Sequence, residues 1–178
     1  MTINVEFVRL DAIGDRLLEP LRNHRAFVAI FGAASAVGDF SIIWHAAGLI
    51  RSIGSVNRLG QALCLSLVLG VESLVVNQGI KRLFARQRPT LSGDARFGVR
   101  TPRTSSFPSG HASSAVCAAM ILTMFTGWPF GALWVVLAIV VALSRAVVRI
   151  HHISDVLAGL ICGAIIGAIA LPIASNFS

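Results

Sequence analysis

Five stretches of this chain are long and apolar enough to cross a lipid bilayer, and no other feature of the sequence narrows its fold so far. They cover residues 26–50, 60–80, 107–128, 129–148 and 153–174, each close to the roughly 20 residues a helix needs to span the hydrocarbon core. Lipid offers no water to an unpaired amide or carbonyl, so such segments must be helices. Hydrophobic residues make up 55% of the sequence and mean hydropathy is +0.77, above the roughly 45–50% apolar usage of soluble domains. The expected fold is all-α: an integral membrane bundle of about five transmembrane helices preceded by an amphipathic one. A single domain then covers residues 1–178, with an interfacial helix at 1–24, the bundle at 26–174, and a polar loop at 81–106 rich in Arg, Pro, Gly and Ser, expected to be an ordered surface loop.

On a helical wheel of the N-terminal segment, Ile3, Phe7, Leu10, Ile13, Leu17, Leu18 and Leu21 share one side. Arg9, Asp11, Asp15, Arg16, Glu19 and Arg22 fall elsewhere, and Pro20 ends or kinks the helix. The pattern fits a helix lying in the membrane interface; a cap packed on the bundle is the alternative. No basic region followed by an apolar core stands at the start, so no cleavable signal is expected. Net charge is +7, but the basic residues cluster locally, which argues against nucleic acid and for phosphate and membrane lipids as partners. Cys64, Cys117 and Cys162 lie in apolar runs without metal spacing, so they are read as packing residues, and neither a metal nor another cofactor is expected.

Three polar clusters recur at one end of the bundle. "KRLFARQRP" begins with Lys81, the only lysine of the chain, at the exit of the second span. "FPSGHASSAV", from residue 107, sets Pro108, Ser109, Gly110 and His111 at the entrance of the third. "SRAVVRIHHISD" runs from Ser144 to Asp155 across the junction of the last two. Charged groups in a membrane segment are costly and usually functional. The helix dipole disfavours an imidazolium in a first turn, so His111 points to an anionic partner such as a phosphate. His151 and Asp155, four residues apart, share a helix face, so the carboxylate can hold one ring nitrogen and leave the other as a nucleophilic lone pair. His152 points about 100° away and has no such acid. Arg149 is explained by a headgroup contact.

These elements, Lys81-x6-Arg88-Pro89, Pro108-Ser109-Gly110-His111 and Ser144-Arg145-x5-His151-x3-Asp155, resemble the three-part signature of the type 2 phosphatidic acid phosphatase superfamily, which includes bacterial acid phosphatases and vanadium haloperoxidases. The resemblance implies a metal-independent phosphatase in a helical bundle. It implies His151 as nucleophile, Asp155 as its orienting acid and His111 as general acid and base, with Lys81, Arg88, Ser109, Gly110 and Arg145 holding the phosphate. Bacterial membrane relatives generally carry six spans against the five counted here, which affects the substrate entrance rather than the catalytic core.

The expected substrate is a lipid phosphate or diphosphate: a polyprenyl diphosphate, a polyprenyl-linked sugar phosphate, phosphatidylglycerophosphate or phosphatidate. A headgroup transporter or scramblase is the alternative, but it should carry polar groups through the full depth of the membrane. Asp39 and Glu72, near the middle of the first two spans, are read as structurally paired, with His45 and Asn77 as candidate partners. Gly159, Gly163 and Gly167 form a small-residue stripe for close helix packing within the monomer, a homodimer seam through the last helix being the alternative. Thirteen of the fifteen lysines and arginines fall on the side holding the motifs, against Arg51 and Arg58 opposite. By the positive-inside rule this multi-pass cell-membrane protein turns its site to the cytoplasm.

Overall fold

A computed structural model of the chain describes residues 5–90, 94, 96–100 and 104–178; Ile3 of the amphipathic pattern and Arg103 of the basic loop lie outside them. Seven α-helices run in order: α1 Val5–Leu18, α2 Arg25–Val37, α3 Ile42–Ser52, α4 Val56–Ser73, α5 Gly110–Thr126, α6 Phe130–Val147 and α7 Ile153–Ala174. No strand occurs among the described residues. All five expected spans are helical. Val56–Leu83, Phe130–Val147 and Ile153–Phe177 are long and apolar enough to cross a membrane; α2 and α3 together would make a fourth crossing, and α5 is a shorter apolar helix of 17 residues.

The first span departs from expectation. It is not one rod but two helices bent by 66°. Gly38 ends α2, and Phe40 and Ser41 take left-handed backbone angles, φ 53° and 60°, which residues with a side chain adopt only when their surroundings hold them there. The second span continues α4 through a π-helical turn, Leu74–Gly79, and a 3-10 turn, Ile80–Leu83, so Lys81 lies on the last turn of the span rather than after it.

Helix α5 is the axis of the bundle. Its inward face consists of small residues, including Ala112, Ser113, Ala115, Cys117 and Ala118, all buried, and small side chains let backbones approach closely. The glycine stripe of α7 meets this face. A Cβ at Gly159 would sit 2.3 Å from the Ser109 carbonyl oxygen, one at Gly163 2.1 Å from that of Ser113, and one at Gly167 2.8 Å from Met120 Sδ. The stripe is therefore covered within the chain itself, and its residues are not open to a second copy.

Helix α1 packs on α6 and α7. Phe7, Val8, Ile13 and Leu17 are exposed, while Asp11 is buried. Gly14 lies against Ile153, where a Cβ would come within 2.3 Å of Cγ1. Asp11 turns to the bundle while most of the apolar side chains turn outward, and Leu18 packs against the core. Arg22 secures this arrangement: fully buried, it pairs with Asp15 at 2.6 Å and Glu19 at 2.9 Å and donates to the Val147 carbonyl at 2.9 Å.

Candidate active site

The end of α6 and the start of α7 build the centre of the site. Arg149 adopts φ 58° and turns the chain back, so the amides of Ile150 and His151 both donate to the Arg145 carbonyl, at 3.2 and 3.0 Å. His152 caps α7. Asp155, three residues into the helix, accepts the His152 amide at 2.8 Å, half of a capping box. Asp155 thus has two roles, helix cap and partner of the histidine just before the cap.

His151 is 3% exposed. Its Nδ1 lies 3.6 Å from Asp155 Oδ2 and 3.4 Å from Ser106 Oγ, and Ser106 donates to the same carboxylate oxygen at 2.6 Å. On the other side of the ring, Nε2 is 3.3 Å from Arg88 Nη1. A guanidinium only donates, so Nε2 must be the lone-pair nitrogen and Nδ1 the protonated one. Burial pushes the His151 imidazole down to about 3, Arg145, Arg88 and Lys81 add to the shift, and Asp155 opposes it. His151 is therefore neutral at pH 7 with its lone pair on Nε2. The expected pairing with Asp155 is present, but at 3.6 Å it is longer than a hydrogen bond, and Ser106 bridges the two.

Around that lone pair stand cations with unused donors. Arg88 donates to the carbonyls of Ile150, Thr104 and Ser105 at 3.0, 3.1 and 3.2 Å, yet its buried Nε has no hydrogen-bond partner among the described residues. Arg145, 1% exposed, bonds Ser35 through Nη1, while its buried Nε and Nη2 have none among them. Lys81, 8% exposed, lies within electrostatic reach of Arg88, Arg145 and Asp155. Buried donors without acceptors are costly and rare, and here they belong to the cations best suited to an anion's oxygens.

The entrance of α5 supplies the rest. Pro108 precedes the helix instead of occupying its first turn; Ser109 is the cap, accepting the Ala112 amide at 3.5 Å and donating its own amide to the Asp155 carbonyl at 3.0 Å. Gly110 opens the helix where a Cβ would meet Asn77 Oδ1 at 2.5 Å. His111 follows, and Arg145 lies within electrostatic reach of both histidines. The anionic group beside His111 is Asp39: Nε2 is 3.1 Å from Asp39 Oδ1 and 3.3 Å from the Ser35 carbonyl. This corrects the partners expected for Asp39. His45 bonds Ser66 Oγ at 2.9 Å and Asn77 bonds Ser73 Oγ at 3.1 Å. Glu72, 1% exposed, keeps Oε1 without a hydrogen bond.

Sequence reasoning missed three participants. Ser106 stands directly before the second motif. Arg86, within "KRLFARQRP", donates to Asp155 Oδ1 at 2.5 Å and to Ser154 Oγ at 2.7 Å, and it also pairs with Asp11. Asp11 in turn accepts the Ser154 amide at 2.9 Å. Only the concentration of arginine beside the first motif hinted at Arg86; an acid on the amphipathic helix gave no sign of reaching α7. A cavity of about 650 Å³ lies between α1 and these residues and reaches His151. Arg149, expected at headgroups, pairs with Asp15 at 3.2 Å. Among the described residues, no three His, Cys, Asp or Glu side chains gather as a metal site would require.

Known proteins resemble this chain in sequence and in fold. Decaprenylphosphoryl-5-phosphoribose phosphatase of Mycobacterium tuberculosis is 47% identical over 90 residues, covering 51% of this chain and 49% of that protein. Its namesake in Mycolicibacterium smegmatis is 44% identical over 80 residues, covering 45% of this chain and 42% of that protein. The chain thus spans about half the length of the curated relatives it matches. Among solved structures, a transmembrane PAP2-type phosphatidylglycerolphosphate phosphatase from Bacillus subtilis superposes with a TM-score of 0.65 at 19% identity, covering 98% of this chain and 94% of that one. LpxE from Aquifex aeolicus gives 0.71 at 22% identity, covering 89% and 92%. At those identities the likeness concerns the fold. The PAP2 superfamily model matches residues 61–178, which hold all three motifs and the residues gathered around His151, and the chain belongs to that superfamily.

Proposed function

We propose that this protein is a membrane-embedded lipid phosphatase that removes the terminal phosphate of a polyprenyl-linked sugar phosphate through a phosphohistidine at His151. One observation carries the chemistry: a buried, neutral imidazole directs its lone pair at Nε2 toward Arg88 in a site where Arg145 keeps two buried N–H groups unpaired. Nε2 attacks phosphorus, and Ser106 and Asp155 hold Nδ1 while positive charge develops on the ring. Lys81, Arg88, Arg145, the Ser109 hydroxyl and the Gly110 amide at the opening of α5 stabilise the equatorial oxygens. His111 gives a proton to the leaving oxygen and then takes one from the water that cleaves the phosphorus–nitrogen bond. In this scheme the charge on phosphorus is handled by groups of the protein itself, so chelators should leave activity unchanged.

The substrate class is supported by the names of the two mycobacterial relatives and by the grouping of every motif at one membrane face. Purified protein supplied with a polyprenylphosphoryl sugar phosphate, a polyprenyl diphosphate, phosphatidylglycerophosphate and phosphatidate should release inorganic phosphate fastest from the first. Faster release from phosphatidate would overturn the substrate assignment, and no release from any of them would overturn the phosphatase assignment. We place the protein in the cell membrane with the site toward the cytoplasm on the charge asymmetry. On the side of the motifs, Gly98 is exposed and suits a cysteine probe. In a cysteine-free background, a cysteine at Gly98 should resist an impermeant maleimide in sealed cells and one at Asn57 should react; the reverse result would turn the site outward.

A further inference from the structure

We infer that Asp39 is the positioning residue of His111, so that the site works with two histidine–carboxylate pairs rather than one; this rests on the proton-donor role given to His111 above. The groups facing His111 Nε2 are a carboxylate oxygen at 3.1 Å and a main-chain carbonyl at 3.3 Å. Both are acceptors, so Nε2 carries a hydrogen in either charge state, and Nδ1 is the nitrogen that exchanges protons with the reaction. In the first half-reaction, imidazolium Nδ1–H passes its proton to the leaving oxygen as the P–O bond breaks. In the second, the Nδ1 lone pair takes a proton from water as its oxygen bonds phosphorus and the bond to His151 breaks. Through both, Nε2–H stays on Asp39, whose charge balances the imidazolium, as an orienting acid does for a catalytic histidine.

The backbone is shaped for this contact. Asp39 falls in the break between α2 and α3, beside Gly38 and two left-handed residues, Phe40 and Ser41. Gly38 keeps helical backbone angles, so Ser35, Gly38 and Asp39 all meet His111 from the end of α2, and the 66° bend follows them. At Gly38 a Cβ would come within 2.7 Å of His111 Cδ2, so the ring rests directly on that backbone. Ser35, which supplies the carbonyl, is also bonded by Arg145. Held strain at a functional group is where such outliers concentrate.

The test uses the purified full chain and two phosphate monoesters, one with an alkoxide leaving group and one with an aryl leaving group that departs without protonation. Asp39→Asn should lower kcat on the alkyl ester by roughly 10- to 100-fold, part of the roughly 10²–10⁴ that a general acid supplies, with KM within about twofold. On the aryl ester the loss should stay under about threefold, which also shows that the variant is folded. Gly38→Ala, which displaces the ring by a different route, should show the same leaving-group signature. Asp39→Asn should cost nothing more once His111→Ala is in place. Equal losses on both esters, or losses that multiply with His111→Ala, would overturn the pairing while leaving His111 as the acid. If His111→Ala itself did not distinguish the two esters, its assigned role and this inference would fall together.

Discussion

The two histidines of the site are held in opposite ways. His151 sits where two helices meet, with its acid one turn into α7 and that acid fastened by Ser106, Arg86 and the His152 amide. His111 is the second residue of α5, and its acid comes from a helix break far earlier in the chain, with only the Ser35 carbonyl alongside. In the proposed mechanism His151, as nucleophile, must keep one lone pair aimed at phosphorus, and three hydrogen bonds to its orienting carboxylate fix that direction. A proton donor needs a counter-charge while it cycles between two states. One pair is braced for geometry and the other is set for charge.

The sharpest way to break this contrast is to remove each ring. His151→Ala should lower turnover by at least about 10⁴-fold on any leaving group, as loss of a covalent nucleophile does. His111→Ala should be severe only where the leaving group needs a proton. Similar losses across leaving groups for both variants would erase the distinction.

Bracing can be dissected next. Asp155→Asn should slow turnover by roughly 10²–10³-fold, because the ring loses its fixed tautomer. Ser106→Ala should cost roughly tenfold, the ordinary range for a residue supporting a primary group. If Ser106→Ala were silent, the 3.4 Å contact to Nδ1 would be incidental.

How much of this could be read from the chain follows from the same contrast. The four-residue spacing pointed to His151 and Asp155 as a pair, although His151 stands just before the α7 cap and not on a shared helix face; the apolar spans and the glycine stripe were visible as well. Asp39 with His111 was not, because the two lie on different helices and the pairing depends on how the end of α2 packs on the start of α5, which no local spacing reveals. Arg86 and Asp11 were hidden for another reason. The amphipathic pattern shows which face of α1 is apolar, but whether that face meets protein or lipid depends on what lies opposite, and here the acids meet the bundle.

The seam between α5 and α7 supports both histidines and can be tested without touching either. Gly163→Ala would force a Cβ to 2.1 Å from the Ser113 carbonyl, and backbone cannot move aside as a side chain can. It should destabilise the detergent-solubilised protein by about 1–3 kcal/mol with kcat per folded molecule little changed. An unaltered melting temperature would mean that the helices separate more easily than the packing implies.

The smallest effect is on pH. His151 has an ordinary value of 6.5 and lies at about 3 in the fold. The unfolded chain therefore binds a proton that the folded chain refuses, so this residue's contribution to stability is complete above pH 6.5 and fades as pH falls from there toward 3. The melting temperature of wild type relative to His151→Gln should decline between pH 6.5 and 5. A flat difference would show that the ring is protonated in the fold.

The central claim is that phosphorus becomes bonded to His151. Rapid quenching of the purified protein with a substrate labelled in its terminal phosphate tests it directly. The account predicts an acid-labile, base-stable phosphoramidate on the peptide carrying His151, formed before inorganic phosphate appears and absent from His151→Gln. Label on any other residue, or a full burst of phosphate with no labelled protein at the earliest times, would contradict it.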